Sequence, residues 1–174
     1  MLPSLGLDAF ESGFGEFGGE SLVGLLDANC YFVYSEDSKE GFIIDPGGDP
    51  AEIEAMIAAT GARPVAILVT HCHPDHLAAT SEVAAATGAP VYGSAEVQMV
   101  LGDPDKFQLA PGLPGFSKAT GDNVLAGGER LQLGGVELEI VATPGHSPGS
   151  LTYAAAGGLF VGDLLFRGAI GSPY

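Results

Sequence analysis

Two β-sheets sandwiched between helices, an α/β class, is the fold that this 174-residue sequence predicts. Three observations carry it. Val65-Ala66-Ile67-Leu68-Val69 is an unbroken apolar, β-branched run of the kind that forms a strand buried on both faces. Alanine-rich stretches before and after that run, at 51–60 and 77–87, read as helices alternating with strands. In the last third of the chain, paired apolar runs around Gly134-Gly135 and Gly157-Gly158 read as β-hairpins.

Taken in order, residues 1–19 are glycine-rich and acidic with no sustained period, and are expected as a poorly ordered lead-in to a single domain over 20–174, although a helix could dock Phe10, Phe14 and Phe17. Regular structure begins at Ser21–Leu26, and Asn29–Tyr34 reads as a strand. The polar turn Ser35–Glu40 returns it to Gly41–Ile44 as a hairpin. Asp45-Pro46-Gly47-Gly48 stops that strand. Asp49 then stands before Pro50 as a helix cap, with Ile53, Met56 and Ile57 on one helical face. Beyond the buried strand and the second helix, Pro90-Val91-Tyr92 is a short strand and Ser94 caps a helix through Val97, Met99 and Val100. Gly102–Asp122, interrupted by Pro111-Gly112-Leu113-Pro114-Gly115, is a long loop. Leu131–Leu133 with Val136–Val141, and Leu151–Ala155 with Leu159–Val161, are the two hairpins.

Composition excludes several classes of function. Six basic against 22 acidic residues leave a net charge of −16, and the basic residues are dispersed, so a nucleic-acid partner is not expected. The N-terminus has no basic segment before an apolar run, and no apolar stretch reaches membrane-spanning length. With two cysteines, Cys30 in an apolar strand and Cys72 inside a histidine cluster, a disulfide framework is not expected and a cytoplasmic location fits.

The chemistry is concentrated in Thr70-His71-Cys72-His73-Pro74-Asp75-His76, immediately after the buried strand and at the mouth of a helix. His71 and His73, two apart in extended chain, project to one side and can reach one ion. Pro74 keeps His73 extended and opens the helix that follows, which puts Asp75 and His76 in its first turn, aimed beside the first ion. Imidazoles with a carboxylate form a borderline-soft cation site of the zinc type. His146, in Thr143-Pro144-Gly145-His146-Ser147-Pro148-Gly149, and Asp163, after Gly162, stand at two further strand ends. Taken alone each is an ordinary turn residue, but every histidine of the chain falls at such a position.

These motifs, with Asn29-Cys30-Tyr31, Asp45-Pro46-Gly47-Gly48 and Gly162-Asp163-Leu164-Leu165-Phe166-Arg167-Gly168, resemble the metallo-β-lactamase superfamily from about Leu22 to Gly171, in particular its hydroxyacylglutathione hydrolase (glyoxalase II-like) branch. The resemblance implies an αββα sandwich of two mixed sheets between helices. It implies that His71, His73 and His146 bind a first metal, that Asp75 and His76 bind a second, and that Asp163 bridges both. Asp45 is implied as a supporting or turn-forming residue. Two divalent ions are expected, zinc first with iron or manganese as alternatives. They would hold a hydroxide for hydrolysis of a small acyl thioester such as an acylglutathione, with Asp75 as the catalytic carboxylate. Members of the branch continue past Gly171 with further helices and a last histidine, whereas Ser172-Pro173-Tyr174 ends this sequence. The chain is therefore expected to be incomplete at its C-terminus, with a weaker second metal site and an uncovered apolar surface open to self-association. A mononuclear iron persulfide dioxygenase, using His71, His146 and Asp163, and a non-catalytic metal-binding remnant are the alternatives. Lactam hydrolysis ranks low, because true β-lactamases lack the bridging carboxylate found at Asp163.

Overall fold

The computed structural model describes residues 16–24, 26–106, 116–119, 121 and 123–173. The first strand, β1 (Glu16–Val23), opens within the segment expected as a lead-in. It pairs antiparallel with β2 (Ala28–Ser35), which pairs antiparallel with β3 (Glu40–Ile44). Phe10 and Phe14 lie outside the described residues. After α1 (Pro50–Thr60), β4 (Arg63–Leu68) runs parallel to β3. The expected second helix is two short ones, α2 (Pro74–Leu77) and α3 (Thr80–Thr87). They are followed by β5 (Val91–Gly93), α4 (Ala95–Gly102) and a two-residue strand, β6 (Asn123–Val124), that extends the parallel part of the sheet. Most of the expected 102–122 loop lies outside the described residues. Four strands, β7 (Arg130–Leu133), β8 (Val136–Ala142), β9 (Leu151–Ala155) and β10 (Gly158–Phe160), form a second sheet. A 3-10 turn at Gly162–Leu164 leads into a small hairpin of β11 (Leu165–Phe166) and β12 (Ala169–Ile170).

The larger sheet has the order β1-β2-β3-β4-β5-β6 and is mixed; the smaller, β10-β9-β8-β7, is antiparallel at every described pairing rather than mixed. Strand alternation sorts the side chains into two cores. Cys30, Phe32, Ile43, Ile67 and Val69 face the helices and pack with Ile53, Leu77, Val83, Val97 and Leu101. Val33, Phe42, Ile44, Ala66 and Leu68 face the other way, onto Val136, Leu138, Ile140, Leu151 and Tyr153 of the smaller sheet. β4 is covered on both faces, which is why its sequence shows no alternation. The outer face of β8 is polar at Glu137 and Glu139, both ion-paired to Arg130, while Leu159 is 67% exposed and Ile170 75%.

Three local expectations are corrected. Asp49 does not cap α1: its backbone is left-handed (φ 46°) and its carboxylate instead accepts a hydrogen bond from Gly24 N at 2.8 Å, tying the helix start to the end of β1. The helix after the histidine cluster breaks at Ala78-Ala79 because the Ala79 amide donates to Pro46 O (2.9 Å) instead of continuing the helical ladder. The second hairpin turns on Ala156-Gly157, one residue earlier than expected, since Gly158 already pairs with Ala155. Ser94, by contrast, caps α4 as expected, accepting from Val97 N.

Candidate metal centre

The end of β4 builds the centre first. His73 is extended (φ −74°, ψ 138°) ahead of Pro74, so His71 and His73 project together, as their spacing requires. Pro74 opens α2, and its first turn carries Asp75 and His76. The turn between β8 and β9 brings His146, and the 3-10 turn after β10 brings Asp163. His71 Nε2 and His73 Nδ1 lie 3.1 Å apart, and His146 Nε2 lies 2.8 Å from the same His73 nitrogen. His71, His76 and Asp163 make a second group of donors within 4.8 Å of one another. Asp163 spans the two groups: Oδ1 is 3.0 Å from His76 Nε2 and Oδ2 is 3.5 Å from His146 Nε2. Asp75 stands outside both groups, its Oδ2 3.6 Å from His76 Nε2.

Residues behind the centre decide which ring nitrogen faces it. Thr70 Oγ1 donates to Asp45 Oδ2 (2.7 Å), so it accepts from His71 Nδ1–H (3.0 Å) and leaves the His71 Nε2 lone pair forward. Asp45 Oδ2 also accepts from His76 Nδ1–H (2.9 Å), and Oδ1 accepts from Thr70 N (2.7 Å). His146 is set in the same way by the Ser172 carbonyl, 2.8 Å from Nδ1. Asp45, Thr70 and His71 are each about 1% exposed, so this network is shielded from water. The resemblance left Asp45 as a supporting or a turn-forming residue and assigned no role to Thr70, whose side chain is an ordinary strand-end hydroxyl until the fold brings Asp45 beneath it. Nothing in the sequence marks the Ser172 carbonyl.

Electrostatics differ between the two donor groups. Burial, reinforced by the neighbouring imidazoles of His76 and His73, holds His71 down at about 2, so its ring is neutral at neutral pH. His73 is lowered by burial and by His146. Burial also acts to lower His76, but Asp45 and Asp163 outweigh it and push the group up to about 10. Burial opposes ionisation of Asp163, yet its hydrogen bond to His76 and the other histidines hold its carboxyl below the ordinary range. Burial, then Glu96, pushes the Cys72 thiol up to about 11, which makes it a poor nucleophile at neutral pH.

Two of the three close nitrogens, on His71 and His146, present lone pairs because their protons are committed behind them. His73 Nδ1 lies 3.1 and 2.8 Å from them and has at most one proton to give, so it can satisfy only one, whereas a cation at the centre would take all three lone pairs. A tetrahedral zinc with nitrogens at about 2.0–2.1 Å sets neighbouring donors about 3.4 Å apart. The two observed edges fall short of that by about 0.3 and 0.6 Å, a change that small side-chain rotations supply. The donor set fits a divalent ion.

Two stacked sheets whose strand ends present paired histidine–carboxylate groups define an α/β sandwich built to hold metal. The chain belongs to the metallo-beta-lactamase superfamily: the family model matches residues 23–174. A Bacillus subtilis (strain 168) protein named as a probable metallo-hydrolase, YqgX, is 38% identical over 153 residues, 86% of this chain and 71% of the relative. The Haemophilus influenzae hydroxyacylglutathione hydrolase GloC is 33% identical over 154 residues, 86% of this chain and 72% of that protein. Among solved structures, BLEG-1, described as a B3 metallo-beta-lactamase, superposes with a TM-score of 0.79 at 34% identity, covering 88% of this chain and 75% of that one. Fold and donor set together imply divalent metal binding by a member of a metallo-hydrolase superfamily. No helix among the described residues is long and apolar enough to cross a membrane.

Proposed function

We propose that this chain hydrolyses a small acyl thioester, of the acylglutathione type, with metal held by His71, His73 and His146 on one side and by His76 and Asp163 on the other. The observation that carries the reading is the placement of Asp163, one oxygen toward each group. Asp75, whose Oδ2 is 3.6 Å from His76 Nε2, would be the further carboxylate beside the second ion. Zinc is the ion we expect, with iron or manganese as alternatives. Divalent ions there lower the pKa of a bound water and polarise a carbonyl.

The chain's own groups do the rest. Asp45, through Thr70, leaves the forward nitrogen of His71 unprotonated, and it holds the His76 ring directly at Nδ1. Asp75, beside His76 and partly exposed, orients the attacking water and takes its proton at Oδ2. Water adds to the thioester carbonyl, the carbon–sulfur bond breaks, and the departing thiolate receives the proton. A carboxylic acid and a thiol result. Cys30 and Cys72 are both unpaired, which suits the reducing cytoplasm where such thiols persist.

Purified protein loaded with zinc should hydrolyse lactoylglutathione. His73→Ala should abolish turnover, and Asp75→Ala should lower kcat by about 10²–10⁴-fold. Full activity in both variants overturns the reading. The likeness to BLEG-1 favours lactam hydrolysis as a second reading, which chromogenic cephalosporin turnover without thioester turnover would establish. A single bound iron with oxygen consumption would point instead to a dioxygenase.

A further inference from the structure

We infer that the Tyr153 hydroxyl is a positioning group for the metal centre: its bond to the Val69 carbonyl fixes the register between the two sheets, so that His146 meets His71 and His73. This rests on the reading of the cluster as a metal site. The donors come from both sheets, since His71 and His73 follow β4 of the larger one while His146 lies between β8 and β9 of the smaller. Their spacing therefore depends on how one sheet sits upon the other. Most of what joins the sheets is apolar contact, with Phe42, Ile44 and Leu68 against Leu138 and Ile140. Such contact resists separation but is non-directional and opposes sliding only weakly.

Directional bonds cross between the sheets next to the centre. Leu151 N donates to Thr70 O (2.8 Å), and the Tyr153 hydroxyl donates to Val69 O (2.8 Å). Val69 is two residues before His71, at the end of β4: Leu68 is the last residue in register with β3 and β5, and the Val69 amide still donates to Tyr92 O (3.0 Å) while its carbonyl points past the ladder. The Val69 carbonyl is thus buried beyond the sheet and needs a donor. Tyr153, fully buried among apolar side chains, brings that donor from the opposite sheet. A phenylalanine would fill the same volume, so the hydroxyl is present for the bond rather than for packing. Burial holds the phenol well above its ordinary range, and it stays a donor throughout the working pH.

Tyr153→Phe removes the bond and keeps the ring. Val136→Ala is the control, a fully buried residue at the end of β8 away from His146, which weakens the same core without touching the tie. Zinc affinity is measured by competition with a chromophoric chelator, and coordination by the visible absorption of the cobalt-substituted protein. Tyr153→Phe should bind zinc about 10- to 100-fold more weakly, with shifted cobalt bands, while Val136→Ala keeps the wild-type affinity and spectrum. Unchanged affinity and spectrum in Tyr153→Phe overturn the inference. Failure of Tyr153→Phe to fold while Val136→Ala folds also overturns it, because the hydroxyl would then be supporting the core itself. Wild-type protein that takes up neither ion overturns the metal reading and this inference with it, which separates the two failures.

Discussion

Both carboxylate oxygens of Asp45 are engaged behind the centre, with Thr70 N on one and with Thr70 Oγ1 and His76 Nδ1 on the other. Through them one buried side chain sets the orientation of two histidines, since Thr70 passes the constraint on to His71. Asp45→Asn keeps the size but presents an amide donor to at least one group that is itself a donor. We expect zinc affinity to fall about 10- to 100-fold, read by chelator competition, and stability to fall by about 1–3 kcal/mol from the unsatisfied buried donor, read by urea unfolding. Gly162 shows the same economy of space. Its φ is +51°, and a Cβ there would stand 2.3 Å from Thr70 Oγ1, so glycine alone lets Asp163 approach the His71 side of the centre. At this scale the four histidines and Asp163 stood out in the sequence as candidates, because the histidine spacing and the strand-end positions of His146 and Asp163 are local features, whereas Asp75, named with them, stands outside both groups. The partners that orient them were only half legible: Asp45 and His76 are 31 residues apart, and His146 and Ser172 are 26 apart.

Among the elements, the turn 45–48 does more than end β3. It is wedged beneath α2, where the Pro46 carbonyl takes the Ala79 amide and splits the expected helix in two. A Cβ on Gly47 would fall 1.6 Å from the Asp75 carbonyl oxygen. Gly47→Ala must therefore push α2 away, carrying Asp75 and His76 with it. We expect a loss of about 1–3 kcal/mol or more, seen as a lower urea midpoint, together with weaker metal binding. Asp49 makes a contrasting case. Because its side chain holds Gly24 N and not the helix amides, Asp49→Ala should cost about 1 kcal/mol while leaving the far-ultraviolet helical signal unchanged. Strands and helices with a sustained pattern, β2, β4, α1, α4 and β8, were readable because periodicity reflects burial on one face or on two. The break at Ala78-Ala79 and the strand β6 were not, since a distant carbonyl causes the first and two residues carry no period for the second.

For the whole molecule, the grouping of donors from separate elements at one centre links metal to stability. A cation that binds only the folded state adds about 4 kcal/mol when present at a thousandfold excess over its Kd. Treatment with a chelator should accordingly lower Tm by about 8–16 °C, and zinc added back should restore it; an unchanged Tm would mean that the folded chain takes up no ion. What the sequence by itself determined is the class of fold and the order of its longer elements, with His71, His73, Asp75, His76, His146 and Asp163 as candidate donors, because spacing along one strand and alternation of burial are properties of neighbouring residues. Only the tertiary structure decided that His146 and Asp163 reach the 71–76 turn, that Asp163 faces both donor groups while Asp75 stands aside, and that Tyr153 ties one sheet to the other. Each of these depends on how two sheets joined far apart in the chain settle on one another, and no local pattern encodes that register.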